Sequence, residues 1–403
     1  MKRIRIHDML RDLYLREAKR ENFLNVIGLK KHCRWISHTS RSLYSEVRSG
    51  DEFFHKSHSI HFTYLYYNWY TDVERLISHL KLLRVVDIRG RVYYEENALD
   101  VLANLVHLRY LALSTYKSFE IKLFEHWNMQ SFIVSGDGVT LGSFEAYRIW
   151  KMPLLRNFCI GVIFSLEIPP AVYTNLENIS WLDSESCTND LFTMIPNLKK
   201  LGVDGGFYDN NLDWFYNCVH LGQLETLSIR RWGYLKNIPC SGIQWATSFL
   251  PNLKKLNLLE SNLQWSDLSL ICMLPNLEVL KLINACKGLK WETYDGGFRR
   301  LKRLVIVKGS LKYWNAVGDH FPILECLEIS YCHWLEGIPP DFGDIATLAL
   351  IKISYCRDSL MASAEWIQDE QNNNYGNAAL LDCSKGFGPL DMMDGAIALQ
   401  DVN

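Results

Sequence analysis

The chain has 403 residues, 48% of them hydrophobic, which suffices for two or three ordinary domains or one long repeat array and excludes a disordered chain. Forty-three basic against forty-five acidic residues leave a net charge of −2, so no global field favours nucleic acid or marks an acidic tail. Eleven cysteines without a Cys-x-x-Cys pair read as reduced thiols. The charged N-terminus and the absence of a run of about 18 apolar residues argue against a leader or a membrane span. The expected compartment is the cytoplasm, with the nucleus or the periphery of a membrane as alternatives.

From Asp8 to about Ile27, apolar residues at Met9, Leu10, Leu13, Tyr14, Ala18, Phe23, Leu24 and Ile27 predict one amphipathic helix or two. This segment either caps the chain downstream of it or ends a preceding region. His32–Ser40 and His58–Leu65 alternate like strands, which predicts degenerate opening repeats or a cap over 31–82.

From Leu83 one phrase recurs, apolar-x-x-apolar-x-apolar: LRVVDI at Leu83, LRYLAL at Leu108, LKKLGV at Leu198, LETLSI at Leu224, LKKLNL at Leu253, LEVLKL at Leu277, LKRLVI at Leu301 and LECLEI at Leu324, among twelve matches ending at Leu348. Successive matches stand 21 to 29 residues apart, averaging about 24, the leucine-rich-repeat period. The last apolar-x-apolar is a short strand with alternate side chains inward, the leading leucine fills the bend before it, and stacked repeats share one parallel sheet. Pro-Asn before the leucine, as in IPNLKKL and LPNLEVL, suits the turn into the strand, and YLKNIP at Tyr234 and WLEGIP at Trp334 mark the return. The repeats occupy 83–357. Asp358 then reads as an N-cap, with Leu360, Ala364 and Ile367 at helical spacing, so 358–372 is expected to be a capping helix. Residues 373–403 show no period and are expected to form a frayed tail.

The opening RIHDMLRDLYLREAKRENFLNVI, followed by these repeats, resembles the junction in plant intracellular immune receptors of the coiled-coil, nucleotide-binding (NB-ARC), leucine-rich-repeat type, most closely the late-blight-resistance group. LLRVVDIRG, NLVHLRYLAL, WNMQSFIV and LEGIPPDFGDIATLALIKISYC continue the likeness to about residue 375. The resemblance implies that 1–30 is the end of a nucleotide-binding region, with Ile6-His7-Asp8 standing for the family's Met-His-Asp motif, and that the chain is the C-terminal part of something larger. His7 and Asp8 would then contact ADP or ATP in a full-length receptor. The chain itself has no G-x-x-x-x-G-K-[ST] loop, so no nucleotide or other cofactor is expected in it alone. The implied partners are a pathogen effector or a guarded host protein, and the nucleotide-binding region in cis or in trans.

No constellation meets a catalytic spacing, and the expectation is a non-enzyme that works by contact. His55, His58 and His61 read as strand or surface histidines and not as a metal site, and adjacent Cys332 and His333 as a buried thiol beside an exposed ring. The best candidate is the outward face of the sheet, where Lys200, Lys255, Asn257, Lys281, Arg303 and Glu328 alternate with buried leucines. With Lys199, Lys254 and Lys302 beside them, these form a basic stripe suited to an acidic partner, or else ordinary solvated strand positions. Trp232, Tyr234, Tyr331 and Trp334 are candidate interface anchors or return-side packing. A ubiquitin-ligase substrate receptor is the alternative reading, and it would need an adaptor-binding module ahead of the repeats.

Overall fold

In the computed structural model of the chain, the described residues are 35–38, 57–62, 77–92, 100–115, 119–121, 126–135, 139–141, 146–205, 213–231, 250–293, 296–376 and 380–384. They fall into two compact units, one running to Trp181 and the other from Leu182 to Asp391. The opening helix, with His7 and Asp8, lies outside the described residues, as do Trp232 and Tyr234.

The first unit stacks Trp35–His38, Ser59–Phe62, Val85–Val92, Tyr110–Thr115, Ser131–Ser135 and Asn157–Phe164 as parallel neighbours in chain order. Trp35 pairs with Ser59 and Ser59 with Val85, so the weak alternations upstream of Leu83 are strands of the same sheet. The second unit repeats this arrangement with Lys200–Asp204, Thr226–Arg230, Lys255–Leu259, Val279–Ile283, Arg303–Val307, Cys326–Ser330, Leu350–Ser354 and Leu380–Ser384. Both units are leucine-rich repeats. The leading leucines Leu83, Leu155, Leu224, Leu301 and Leu324 are buried, as are the inward strand pairs Leu256 and Leu258, Leu280 and Leu282, and Leu304 and Ile306. Each such side chain contributes roughly 1.5–3 kcal/mol on leaving water.

The asparagine before the leading leucine, whether or not proline precedes it, has a second role besides turning the chain. Asn175, Asn252 and Asn276 donate from Nδ2 to the carbonyls of Pro153, Gly222 and Pro251 in the turn before, at 2.8, 2.8 and 2.6 Å. The asparagines therefore tie each turn to the one before it.

Each strand of the second unit from Thr226–Arg230 to Leu350–Ser354 is followed by a residue in the left-handed region: Arg231, Glu260, Asn284, Lys308, Tyr331 and Tyr355, with φ between 47° and 56°. The N–H of each of the first five donates to the last carbonyl of the next strand, at 2.8–3.0 Å. The turn thus sends the chain towards the return side while adding one more bond between repeats. Left-handed backbone costs an L-residue about 1–2 kcal/mol, and a β-branched side chain tolerates it worst. Lys308→Val is therefore expected to lower stability by about 1–2 kcal/mol, and Lys308→Gly to leave it within about 1 kcal/mol, read by chemical denaturation. A valine variant as stable as the parent would show that the turn has other conformations open to it.

The return side of the second unit holds an aromatic stack. Trp291 lies face to face with Trp265 (centroids 5.2 Å apart, planes at 29°) and with Trp314 (5.1 Å, 10°), while Phe298 stacks on Phe321 at 5.2 Å and Phe342 meets Trp314 at 5.0 Å. Trp265 Nε1 donates to the Gly288 carbonyl at 3.1 Å.

Two details at the C-terminal end differ from the sequence expectation. The helix is Asp358–Tyr375, and its N-cap is Arg357, which makes no side-chain cap bond. Asp358 instead sits in the first turn, where a carboxylate is favoured by the exposed N–H groups. The helix ends on Gly376 at φ 66°, and the Leu380–Ser384 strand then pairs with Leu350–Ser354 where a frayed tail was expected. Leu381 and Cys383 keep the strand alternation, but no leading leucine announces it. Among the described residues no helix is long and apolar enough to cross a membrane.

Candidate protein-binding face

Neighbouring parallel strands lie about 4.8 Å apart, so residues in register form rows across the outward face. In the second unit one row runs Lys200, Thr226, Lys255, Val279, Arg303, Cys326, Leu350. The row two residues on runs Gly202, Ser228, Asn257, Lys281, Val305, Glu328, Lys352.

The rows bring together most, though not all, of what the sequence suggested. Lys255 is exposed, and Lys200, Lys281, Arg303 and Glu328 are half-buried. Asn257 is only 6% exposed, and its Nδ2 donates to Ser228 Oγ at 2.9 Å, so it braces the sheet and offers little to a partner. Its small polar neighbours Thr226 and Ser228 are buried as well, because short side chains on a sheet are covered by the rows beside them.

Glu328 is the centre of the charged group. Its Oε1 accepts from Arg303 Nη2 at 2.9 Å, lies 4.0 Å from Lys352 Nζ, and faces Cys326 Sγ at 3.5 Å. Burial, with Glu328 beside it, pushes the Cys326 thiol up to about 11. Lys281 is pushed down to about 8, first by burial and then by the Arg303 cation, with Lys255 adding to the effect and Glu328 opposing it. Lys281, Arg303 and Lys352 thus act on one carboxylate, Lys255 acts on Lys281 from the other side, and the local balance is positive. Lys352 was missed in the sequence, although LALIKI places it at the same offset as Lys281 in LEVLKL.

Two of the three flanking lysines, Lys254 and Lys302, do not extend this stripe. Lys254 Nζ is 3.0 Å from Glu225 and Lys302 Nζ 4.0 Å from Glu278, all at the position just before a strand. Arg156 faces Glu177 in the same way in the first unit, at 3.9 Å. Opposite charges stack there turn upon turn, and such exposed pairs are worth at most about 1 kcal/mol.

Two further charged groups were not foreseen. Asp204, 1% exposed, accepts from Arg230 Nε at 2.7 Å and Arg231 Nε at 3.0 Å, with Arg231 Nη2 also on Oδ2. In the first unit Asp87 accepts from Arg89 Nε and Nη2 at 2.9 and 2.7 Å, and His61 Nδ1 stands 3.3 Å from it. His61 is thus a strand histidine beside a carboxylate, while His55 lies outside the described residues. Cys332 is fully buried and His333 exposed, as the sequence suggested. Of the candidate anchors, Tyr331 stacks on Tyr355 at 4.6 Å, and Trp334, 57% exposed, lies under the Arg357 guanidinium at 5.6 Å.

No family model matches the chain. Over a 420-residue alignment, covering 94% of this chain and 30% of the relative, it is 29% identical to a late blight resistance protein homolog of Solanum demissum. A late blight resistance protein of the same plant is 28% identical over 415 residues, 93% of this chain and 31% of that protein. The chain is homologous to late blight resistance proteins. This late-blight-resistance-like chain spans under a third of the length of those relatives, 30% and 31%. Among solved structures, an internalin from Listeria monocytogenes is similar at TM-score 0.39 and 14% identity, over 84% of this chain and 82% of that one. A leucine-rich-repeat protein from Leptospira interrogans is similar at TM-score 0.32 and 13% identity, over 82% and 73%.

Proposed function

We propose that the chain is the recognition region of an intracellular plant immune receptor and meets a pathogen effector, or a host protein that the effector alters, through the outward face of its second unit. The homology to late blight resistance proteins over 94% of the chain supports the immune role. The observation that carries the contact role is the group of Lys281, Arg303 and Lys352 around Glu328, with Lys255 exposed two strands from Arg303, on a sheet face where side chains stand towards solvent and steer an acidic surface. In this reading the earlier repeats restrain a nucleotide-binding region, supplied in cis or in trans, and His7 and Asp8 contact ADP or ATP only in a full-length receptor. The action is contact in the cytoplasm and not catalysis.

The test pairs the full chain with effectors of the late-blight pathogen in a direct binding screen. For any effector bound by the parent, the double variant Lys255→Glu, Arg303→Glu should bind at least about tenfold more weakly, a difference near 1.4 kcal/mol. Lys255→Glu alone should change thermal stability little because Lys255 is exposed. Arg303→Glu sets a second carboxylate against Glu328 and should cost about 1–2 kcal/mol, so folding of the double variant is checked by circular dichroism before binding is compared. A partner held equally well by the double variant would sink the role of this face, and no effector bound at all would sink direct effector contact and leave the altered host protein as the partner to be screened.

A further inference from the structure

We infer that the outward face of the second unit contains a seat for a carboxylate side chain of an acidic protein segment, formed by Lys255, Lys281 and Arg303, with Glu328 as the chain's own competing occupant. The inference rests on the reading of this face as a protein-binding surface and adds what the face reads.

The three cations crowd a short stretch of the sheet face and oppose one another's charge. Lys255 and Arg303 both lie in register with Val279, one on each side of it, and Lys281 stands two residues further along the same Val279 strand. Lys281 is flanked in its own row by Asn257 and Val305, both buried, so neither neighbour supplies charge. Burial and the Arg303 and Lys255 cations oppose its proton, and Glu328, two strands away, favours it. Arg303 gives Nη2 to Glu328, yet its Nε is buried with no acceptor among the described residues. A guanidinium has five N–H donors in a fixed fork and suits bidentate capture of a carboxylate. Lys352 draws Glu328 from the other side, so Glu328 is shared and satisfies Arg303 only in part.

An entering carboxylate beside Val279 would meet all three cations, and the apolar positions around it define the rest of the ligand. Val279 lies between Lys255 and Arg303, Val305 between Lys281 and Glu328, and Leu350 beyond Cys326. Cation and apolar side chain alternate across the rows. The matching segment is acidic residues interleaved with apolar ones, because a polyacid would leave the half-buried Val279 and Leu350 uncovered and an apolar strand would cover the cations without bringing them a carboxylate.

Glu328 is what makes the seat testable apart from its mere charge. If Glu328 competes with the ligand, removing its charge must strengthen binding; if it only props the sheet, removal must weaken binding or leave it unchanged. The probe is a capped, fluorescently labelled peptide with two glutamates around a leucine, compared with its glutamine counterpart by anisotropy on the full chain. The glutamate peptide should bind and weaken with added salt, and the glutamine peptide should not bind. Glu328→Gln should raise affinity severalfold, and Lys281→Met with Arg303→Met should lower it at least about tenfold. Should Glu328→Gln fail to fold, the parent protein decides the matter. Binding should fall as pH rises through about 8, where Lys281 loses its proton while the neighbouring Cys326 thiol, pushed up to about 11, stays neutral.

Equal binding of the two peptides, an affinity unmoved or reduced in Glu328→Gln, or a flat profile from pH 7 to 9 would overturn the seat. Displacement of the glutamate peptide by inorganic phosphate at equal concentration would instead assign it to a phosphorylated ligand and overturn the carboxylate reading. Because the probe involves no effector, its failure leaves the effector screen standing, and failure of that screen leaves the peptide result standing.

Discussion

Trp291→Ala should lower the unfolding free energy of the second unit by about 3–5 kcal/mol, the range for truncating a large buried aromatic side chain. Trp291 is 1% exposed and sits between the faces of Trp265 and Trp314, with the rings of Phe298 and Phe321 set edge-on at 6.3 and 6.2 Å. Its loss removes area burial and also the stacking terms, each of which adds roughly 0.5–1.5 kcal/mol beyond area. Repeats contact mainly their neighbours, so the damage should be local. Amide exchange should quicken in the Lys290–Glu292 and Tyr313–Asn315 strands, which pair Trp291 with Trp314, more than in Lys200–Asp204. Circular dichroism under urea gives the free energy without relying on the fluorescence of the deleted ring. Trp366→Ala is the control: at 48% exposed on the capping helix, it should change stability by no more than about 0.5 kcal/mol. A loss below about 1 kcal/mol at Trp291 would mean that the neighbouring rings close over the gap.

That stack also shows where the sequence stopped being readable. The strand positions were legible because a hydrophobic period near 24 residues fixes which side chains face inward, and Leu256, Leu282 and Ile306 lie where the repeat put them. Lys255, Lys281, Arg303 and Glu328 were legible for the same reason, since they occupy the alternate positions of the same strands. Trp265, Trp291 and Trp314 belong to return segments of varying length, so no fixed offset from the leucine lines them up in the sequence. Their alignment comes from the small side sheet in which Trp291 pairs with Trp314. Pairing between repeats was hidden too. Lys254 and Lys302 read as additions to a basic stripe until stacking set Glu225 and Glu278 beside them. The Leu380–Ser384 strand lacks its leading leucine, which removes the strongest mark a repeat carries.

Asp204→Ala is expected to cost about 3–5 kcal/mol, comparable with the loss of a tryptophan although far fewer atoms are removed. The reason is the charge left behind. Asp204 ends the Lys200–Asp204 strand, Arg230 stands in register with it on the next, and the left-handed turn at Arg231 returns a second guanidinium to the same carboxylate. The two arginine side chains are 19% and 22% exposed, so without Asp204 two cations remain poorly hydrated and repel each other. Asp204→Asn keeps the shape and one acceptor oxygen, and should fall between the parent and the alanine variant. Glu225→Ala gives the contrast. Glu225 and Lys254 are each about half exposed, at 49% and 47%, and breaking that pair should cost less than about 1 kcal/mol. Salt separates the two cases further, because screening at about 0.5 M should erase the small Glu225 effect while leaving most of the Asp204 effect in place. If Asp204→Ala proved as mild as Glu225→Ala, the arginines would have found water or other acceptors, and the group would be a surface ion pair despite its burial.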